Sequence, residues 1–396
     1  MKRKNKTSVF AQIAGTGVLK RRYKMKFNWK KCLAGILCIV GFLLILVKVN
    51  QFEKATLVST TGQSYEKAVV TEITKDNLAE DGNRYGTQEV RVYIKTGTFA
   101  GEEYDAVNPS GSLFGADCEV GSKVIVIVSE SGDNSIVTVY SQDRTGAIYL
   151  FAAFFALVVC LIGGKKGVKA IASLVFTFVC IYYLMFPLIY KGASPILITI
   201  VIAFLSTLVT LGLLGGMTAK TASAIIGTTA GVVIAAVAAL LFGKAAGITG
   251  YNVSDIETLN YVAQNSQIRI GQLLFSGIII ASLGATMDVG MSIASTIQEI
   301  HERNPLLGTK ELFLSGIRVG RDMMGTMTNT LIFAYVGGSL STLVINYAYD
   351  LSYRQLMNSY IIGTEIMQGL SGSLGVVLTV PVTAVIASVL VARFSK

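Results

Sequence analysis

Charge is scarce in this 396-residue chain: Asp, Glu, Lys and Arg make up 15% of it, hydrophobic residues 52%, and the mean hydropathy is +0.59. A soluble domain is about 25% charged. The deficit excludes a wholly water-solvated globule and calls for uncharged, lipid-solvated runs of about 20 residues each. Histidine is reduced to His301, in a charged loop. Of the cysteines, Cys32, Cys38, Cys160 and Cys180 fall in apolar runs and Cys118 stands apart, with no CxxC among them. No disulfide framework is spelled out, and a zinc centre needs about four converging ligands. GxSxG, P-loop and HExxH patterns are missing too, so the common hydrolase signatures are absent. The expectation is a protein with no metal, no cofactor and no enzymatic activity.

Acidic residues are missing from the start of the chain: the first is Glu53, while basic residues run from Lys2 to Lys48 within a net charge of +10. Residues 1–31 read as a basic cytosolic arm, an orientation signal lying on anionic lipid. It spells out no recognisable nucleic-acid-binding fold, so nucleic acid is not an expected partner. Residues 32–49 read as a transmembrane anchor, whose apolar run CLAGILCIVGFLLILV is followed by no small-x-small cleavage pattern.

What is present next is a change of composition. Charges return over residues 50–144, where β-branched runs at 65–72, 88–94, 123–128 and 136–140 alternate as strands do. Glycine-containing turns separate them, such as Asp81-Gly82-Asn83 and Ser131-Gly132-Asp133-Asn134. About five short strands in this length predict a small all-β domain, an OB-like barrel, placed outside the cytoplasm. Residues 145–396 form a multi-helix transmembrane domain, with apolar runs at 145–164, 168–186, 195–214, 222–242, 270–297 and 323–348. The stretch 355–392 carries one charge, Glu365, and is too long for one simple span; Pro381 and the glycine-rich 369–375 run suggest an interfacial or re-entrant piece followed by one span. The fold class is thus an α-helical polytopic membrane protein of about eight transmembrane helices with an extracytoplasmic β domain. Lys165, Lys166, Lys169, Lys220, Lys310, Arg318, Arg321 and Arg393 then fall on one side with the basic arm. That places both termini in the cytoplasm.

Charged and polar residues inside such runs are costly and mark candidate sites. Asp288 is flanked along its run only by the distant Arg269 and Glu299. Two readings stand: a proton carrier, or an interhelical hydrogen bond that fixes packing. Thr326 and Asn329 are candidate polar partners from the next helix, with Thr328 beside them. Asp322, next to Arg321, and Glu365, near the outer interface, are candidate gate or access groups. An interfacial ion pair or helix-terminal charge explains Asp322 as well. The glycine and serine clusters read as close helix approaches. The methionines around Asp288 and Asp322 read as packing rather than a soft-metal path.

The runs GATMDVGMSIASTIQEI (284–300) and GRDMMGTMTNTLIFAYVG (320–337), with GGKKGVKAIASLVFTF (163–178) and LTVPVTAVIA, resemble the YibE/F-like family of bacterial membrane proteins. The resemblance implies a multi-pass protein of the bacterial plasma membrane and no particular substrate. Asp288 and the charged segment after it are also similar, more weakly, to the arrangement in SecD/SecF and RND-type transporters, which implies a proton-path role for that aspartate. The leading expectation is therefore a transporter or permease, coupled to protons through Asp288. The alternative is a non-transporting assembly or export factor whose β domain binds a protein or envelope partner. Expected partners are the lipid bilayer and either a second YibE/F-like subunit or further copies of this chain.

Overall fold

The structure is a computed structural model describing residues 29–80, 84–109, 115–131, 134–251, 253 and 255–394. Nearly all of the basic arm, residues 81–83 and the tip of the 131–134 turn lie outside the described residues.

The anchor is a helix, α1 (Trp29–Asn50). Among the described residues the β domain has five strands: β1 (Gln63–Lys75), β2 (Thr87–Ile94), β3 (Glu103–Pro109), β4 (Lys123–Ser131) and β5 (Asn134–Gln142). They close into a barrel in the order β1-β2-β3-β5-β4, with β4 returning to β1 and one parallel pair between β3 and β5. This is the OB-like arrangement, and closure leaves no free sheet edge. β1 serves both β2 and β4. Irregularities after Val70 and Ile73 let one strand bend between two sheets. The period-two pattern fills the interior with Val90, Val92, Val124, Val126, Val137 and Val139.

One end of the barrel is closed by polar side chains. Gln88 and Asn108 are fully buried and bonded to each other, with Asn108 Nδ2 donating to Gln88 Oε1 at 2.9 Å. Gln88 also donates to Cys118 O, and Asn108 is held on both sides by the Ala116 backbone. Arg84 reaches Asp76 and Asp117. The joint to the membrane domain is short. Lys67 pairs with Asp143 at 3.2 Å, Asp143 Oδ1 accepts the Thr145 N–H at 3.0 Å, and the Asp143 N–H donates to Lys123 O.

At this joint begins α2 (Thr145–Cys180), followed by a π-helical turn (Ile181–Met185) and α3 (Phe186–Tyr190). α2 is broken at Gly164, whose φ of 53° and ψ of −132° are not helical. The chain reverses there: a Cβ on Gly167 would lie 2.1 Å from Val159 O. Phe155 and Val159 of the first arm face one cavity together with Ala170, Ser173 and Thr177 of the second. Beyond it stand α4 (Pro195–Gly215), α5 (Ala219–Ala246), the short α6 (Ile256–Gln264) and α7 (Leu273–Arg303). Then come α8 (Thr309–Gly338), α9 (Leu340–Ala348), α10 (Tyr353–Met357) and α11 (Tyr360–Phe394). Among the described residues, five helical stretches are long and apolar enough to cross a membrane, or six when α8 and α9, bent by 62°, form one span. In a bilayer, helices satisfy every backbone group internally.

α5, α7 and α11 pack around one apolar core that includes Ala224, Val289, Ile293, Val376, Val380 and Ala384, with Leu312 and Leu331 of α8 closing it. The α5–α11 crossing is made by small residues. A Cβ on Gly231 would meet Thr379 Oγ1 and Gly375 O, and one on Gly227 would meet Thr383 Oγ1. Such close approach is how helices associate where lipid removes the hydrophobic drive. The same packing explains the first departure from the sequence reading: residues 360–394 form one continuous helix, with no break at the glycine-rich run or at Pro381. The second departure lies in the expected single helix 323–348. It starts earlier, at Thr309, and bends at Ser339 after Gly337-Gly338.

Candidate functional site

α7 and α8 are antiparallel, joined by a tight link at 304–308. A Cβ on Gly316 of α8 would meet Ile297 of α7, and one on Gly372 would touch both Ser282 of α7 and Leu331 of α8. These two levels bracket the helix pair, so Asp288 shares a level with the α8 turn around Gly325. Helical spacing sorts α7 into faces. Thr286 and Gly290 pack on Thr228 of α5, whereas Gly277, Ala281, Gly284 and Asp288 lie on one exposed face. Asp288 has no hydrogen bond and no ion pair among the described residues.

On α8, Asp322, Gly325, Thr326, Asn329 and Thr330 are exposed along one face. The Thr326 hydroxyl donates to Met323 O at 2.9 Å and that of Thr330 to Thr326 O at 2.9 Å, so both are taken up by their own helix. No hydrogen bond joins Asp288 to Thr326 or Asn329. The polar residues of α7 and α8 come to one level without being partnered. Thr328 behaves differently: its hydroxyl is buried and unpaired.

One turn from Asp288, Gly284 and Met287 line a cavity of about 210 Å³ between α7, α4 and the second arm of α2. Thr177, Thr199 and Ser206 supply its polar lining. The Thr199 hydroxyl donates to Pro195 O at 2.7 Å, while the Ser206 hydroxyl is buried without a partner. Ile181, which also lines the cavity, opens the π-helical turn, in which the Phe186 N–H donates to Ile181 O five residues back. Pro187, with no N–H to give, follows at once. Single π turns recur at functional sites. The sequence carried a signal for this cavity: Thr199 and Ser206 are seven residues apart on one face of a run whose other hydroxyl side chains are Thr207 and Thr210.

Glu365 lies elsewhere. It is seven residues from Gly372, on the side away from Asp288, which puts the two carboxyls about 20 Å apart along the bundle at 1.5 Å per residue. Glu365 lines a cavity of about 260 Å³ in the elbow between α8 and α9, together with Tyr335 and apolar side chains of α8, α9 and α11. The Tyr335 hydroxyl is buried without a partner and close enough to Glu365 to feel its charge. Among the described residues, no three His, Cys, Asp or Glu side chains come together to hold a metal ion.

The Asn77 backbone N–H bonds the Asp76 carboxylate and, with Arg84, holds it below the usual range. The Thr145 hydrogen bonds and Lys67 do the same for Asp143. Burial pushes the Cys118 thiol up to about 11.

No curated protein and no solved structure matches the chain. Residues 151–393 match the model of the family described as YibE/F-like protein, and the chain belongs to that family.

Proposed function

We propose that this YibE/F-like membrane protein is a transporter whose coupling group is Asp288. The observation that carries the reading is an intramembrane carboxyl without a partner among the described residues, one turn from a largely apolar cavity whose wall includes Thr177, Thr199 and Ser206, the last with an unpaired hydroxyl. A carboxyl on a lipid-solvated helix is expensive unless it meets water, an ion or a partner. A packing role would need a hydrogen-bond partner, and Asp288 has none among the described residues. The cavity is the substrate space, Asp288 takes up and releases the coupling proton, and Asp322, Thr326 and Asn329 form the polar wall through which that proton leaves. Transport of this kind makes and breaks no covalent bond, so the protein is not an enzyme.

Counting α1, the two arms of α2, α4, α5, α7, the α8–α9 pair and α11 supports eight passes. With the lysines of the Gly164 turn in the cytoplasm, both termini are cytoplasmic and the barrel lies outside the bacterial plasma membrane. A second copy or a second YibE/F-like subunit covers the exposed Asp288 face. A second reading, a non-transporting assembly factor, is favoured by one observation: the Tyr65 and Tyr140 rings, 5.3 Å apart, stand exposed on the barrel wall. Proton flux into proteoliposomes with a pH dye and an imposed potential separates the two. The transporter reading expects flux in the wild type and none in folded Asp288→Asn. Unchanged flux in that variant would sink it, and loss of function in Tyr65→Ala with flux intact would favour the assembly factor.

A further inference from the structure

The side of α8 turned away from the bundle is poorly suited to lipid. Asp322, Thr326, Asn329, Phe333 and Val336 are all exposed, and steps of four, three, four and three residues keep them on one face of the helix. The outer part of this stripe is apolar, and Phe333 is 72% exposed. The inner part is polar. Asn329 lies eight residues beyond Arg321, about 12 Å deeper at 1.5 Å per residue, near the middle of a hydrocarbon core about 30 Å thick. The Thr326 and Thr330 hydroxyls turn back on their own helix. The Asn329 carboxamide makes no hydrogen bond among the described residues, and an unmet amide at that depth is costly. Arg321 and Asp322 are exposed too and make no salt bridge among the described residues.

A copy of the same face satisfies all of these groups. Two chains inserted in the same direction are related by a two-fold axis along the membrane normal, so α8 meets α8 in parallel and each residue meets its own level. A carboxamide both donates and accepts, so two of them across the axis bond reciprocally. Arg321 and Asp322 differ by about 1.5 Å of rise, so each guanidinium stands level with the carboxylate of the other copy. A face that carries both charges and a group complementary to itself fits an isologous contact, and alternate steps of four and three are the spacing with which parallel helices mesh. We propose that two copies of this chain associate in the membrane through α8, with Asn329 bonded to Asn329 of the second copy and Arg321 paired with Asp322 of the second copy. The inference rests on the second-copy reading of the Asp288 face given above and is independent of proton coupling; the polar wall of α8 becomes one that two copies share.

The test places the purified full-length protein, with one fluorophore per chain, in liposomes over a dilution series and counts bleaching steps to obtain the dimer fraction. Elution profile and thermal unfolding confirm that each variant is folded. Dimers are expected in the wild type. Asn329→Leu, which suits lipid, should raise the dissociation constant roughly tenfold, and Asn329→Gln, which keeps the amide, should raise it less. Asp322→Arg should weaken the dimer, and the exchanged pair Arg321→Asp with Asp322→Arg should recover it. In native membranes, with the five native cysteines replaced by alanine, Thr326→Cys and Phe333→Cys should link to homodimers under copper phenanthroline. Val237→Cys, exposed on α5, should not. A monomeric wild type overturns the proposal, as does a dimer that Asn329→Leu leaves as tight as before. Linking of Thr326→Cys only to a chain of different mass assigns the face to another subunit and overturns it. Failure of both seam cysteines to link, with Thr326→Cys open to a water-soluble maleimide, assigns the face to a water-filled cleft and overturns it too. Dimer counting needs no proton gradient, so its failure leaves the flux result for Asp288→Asn standing, and the converse holds.

Discussion

Replacing Gly231 by alanine puts the α5–α11 crossing under direct load. In a free helix the change is favourable by up to about 1 kcal/mol. Here the new methyl would stand 1.8 Å from Thr379 Oγ1 and 2.9 Å from Gly375 O. Thr379 cannot rotate away without giving up its 2.7 Å hydrogen bond to Gly375 O, and the Gly375 carbonyl is backbone. The two helices must therefore part, and a gap of 0.5–1 Å forfeits roughly a quarter to a half of each van der Waals contact along the seam. Overpacking costs about 1–3 kcal/mol, so the net expected loss is about 0.5–2 kcal/mol after the helix-propensity gain. Gly325→Ala is the matched control, because nothing lies within 4 Å of a Cβ there. Unfolding of the purified protein in micelles, followed by circular dichroism, should show Gly231→Ala below wild type and Gly325→Ala at or above it. Thr379→Ala should recover part of the loss in the double variant, since the two positions touch. A Gly231→Ala protein as stable as its control would refute the claim that this seam is packed backbone to backbone.

Other outcomes follow from the barrel and its joint. Asp76 and Asp143 are held below the usual carboxylate range, so their contribution is present at neutral pH. It erodes as pH falls below about 4, the unfolded value, and is gone once pH passes their native values; acid titration of barrel proteolysis should show onset there, shifted upward in Lys67→Ala. Cys118 is fully buried with its thiol raised to about 11, so it should resist iodoacetamide at pH 8 in the folded protein and react on unfolding. Because its folded value exceeds the unfolded one, any stability linked to the neutral thiol is lost only as pH rises toward 11. Topology is read by an impermeant maleimide on intact cells: Glu119→Cys should label and Lys165→Cys should not, and the reverse pattern would invert the assigned orientation.

Much of the architecture was legible because hydropathy and period are one-dimensional signals. The valine alternation of β2 and β4 and the uncharged runs of α4 and α5 fall where the residues put them. β3 escaped because its inward positions are Ala106 and Asn108, small and polar, and it ends in Pro109. The continuity of α11 was hidden for another reason. Glycine and serine weaken a helix in water, but in lipid they let it approach α5, and that partner is not written in residues 369–375 themselves. Asp288 and Glu365 stood out as charges, yet their separation depends on register between helices. The elbow pocket depends on a bend angle, which Gly337-Gly338-Ser339 permits without dictating. Tyr335 carried no signal at all, since an aromatic near a helix end is ordinary.

Only Asp143 and Arg144 separate the last barrel strand from the first arm of α2, and Asp143 is tied to Lys67, Thr145 and Lys123 at once. Such a joint behaves as a splint rather than a tether. A weight hung on the barrel is felt as torque by the first arm, and the sharp reversal at Gly164 is where that torque can be relieved. Lengthening the joint by a few glycines would leave both folds intact and disconnect the lever.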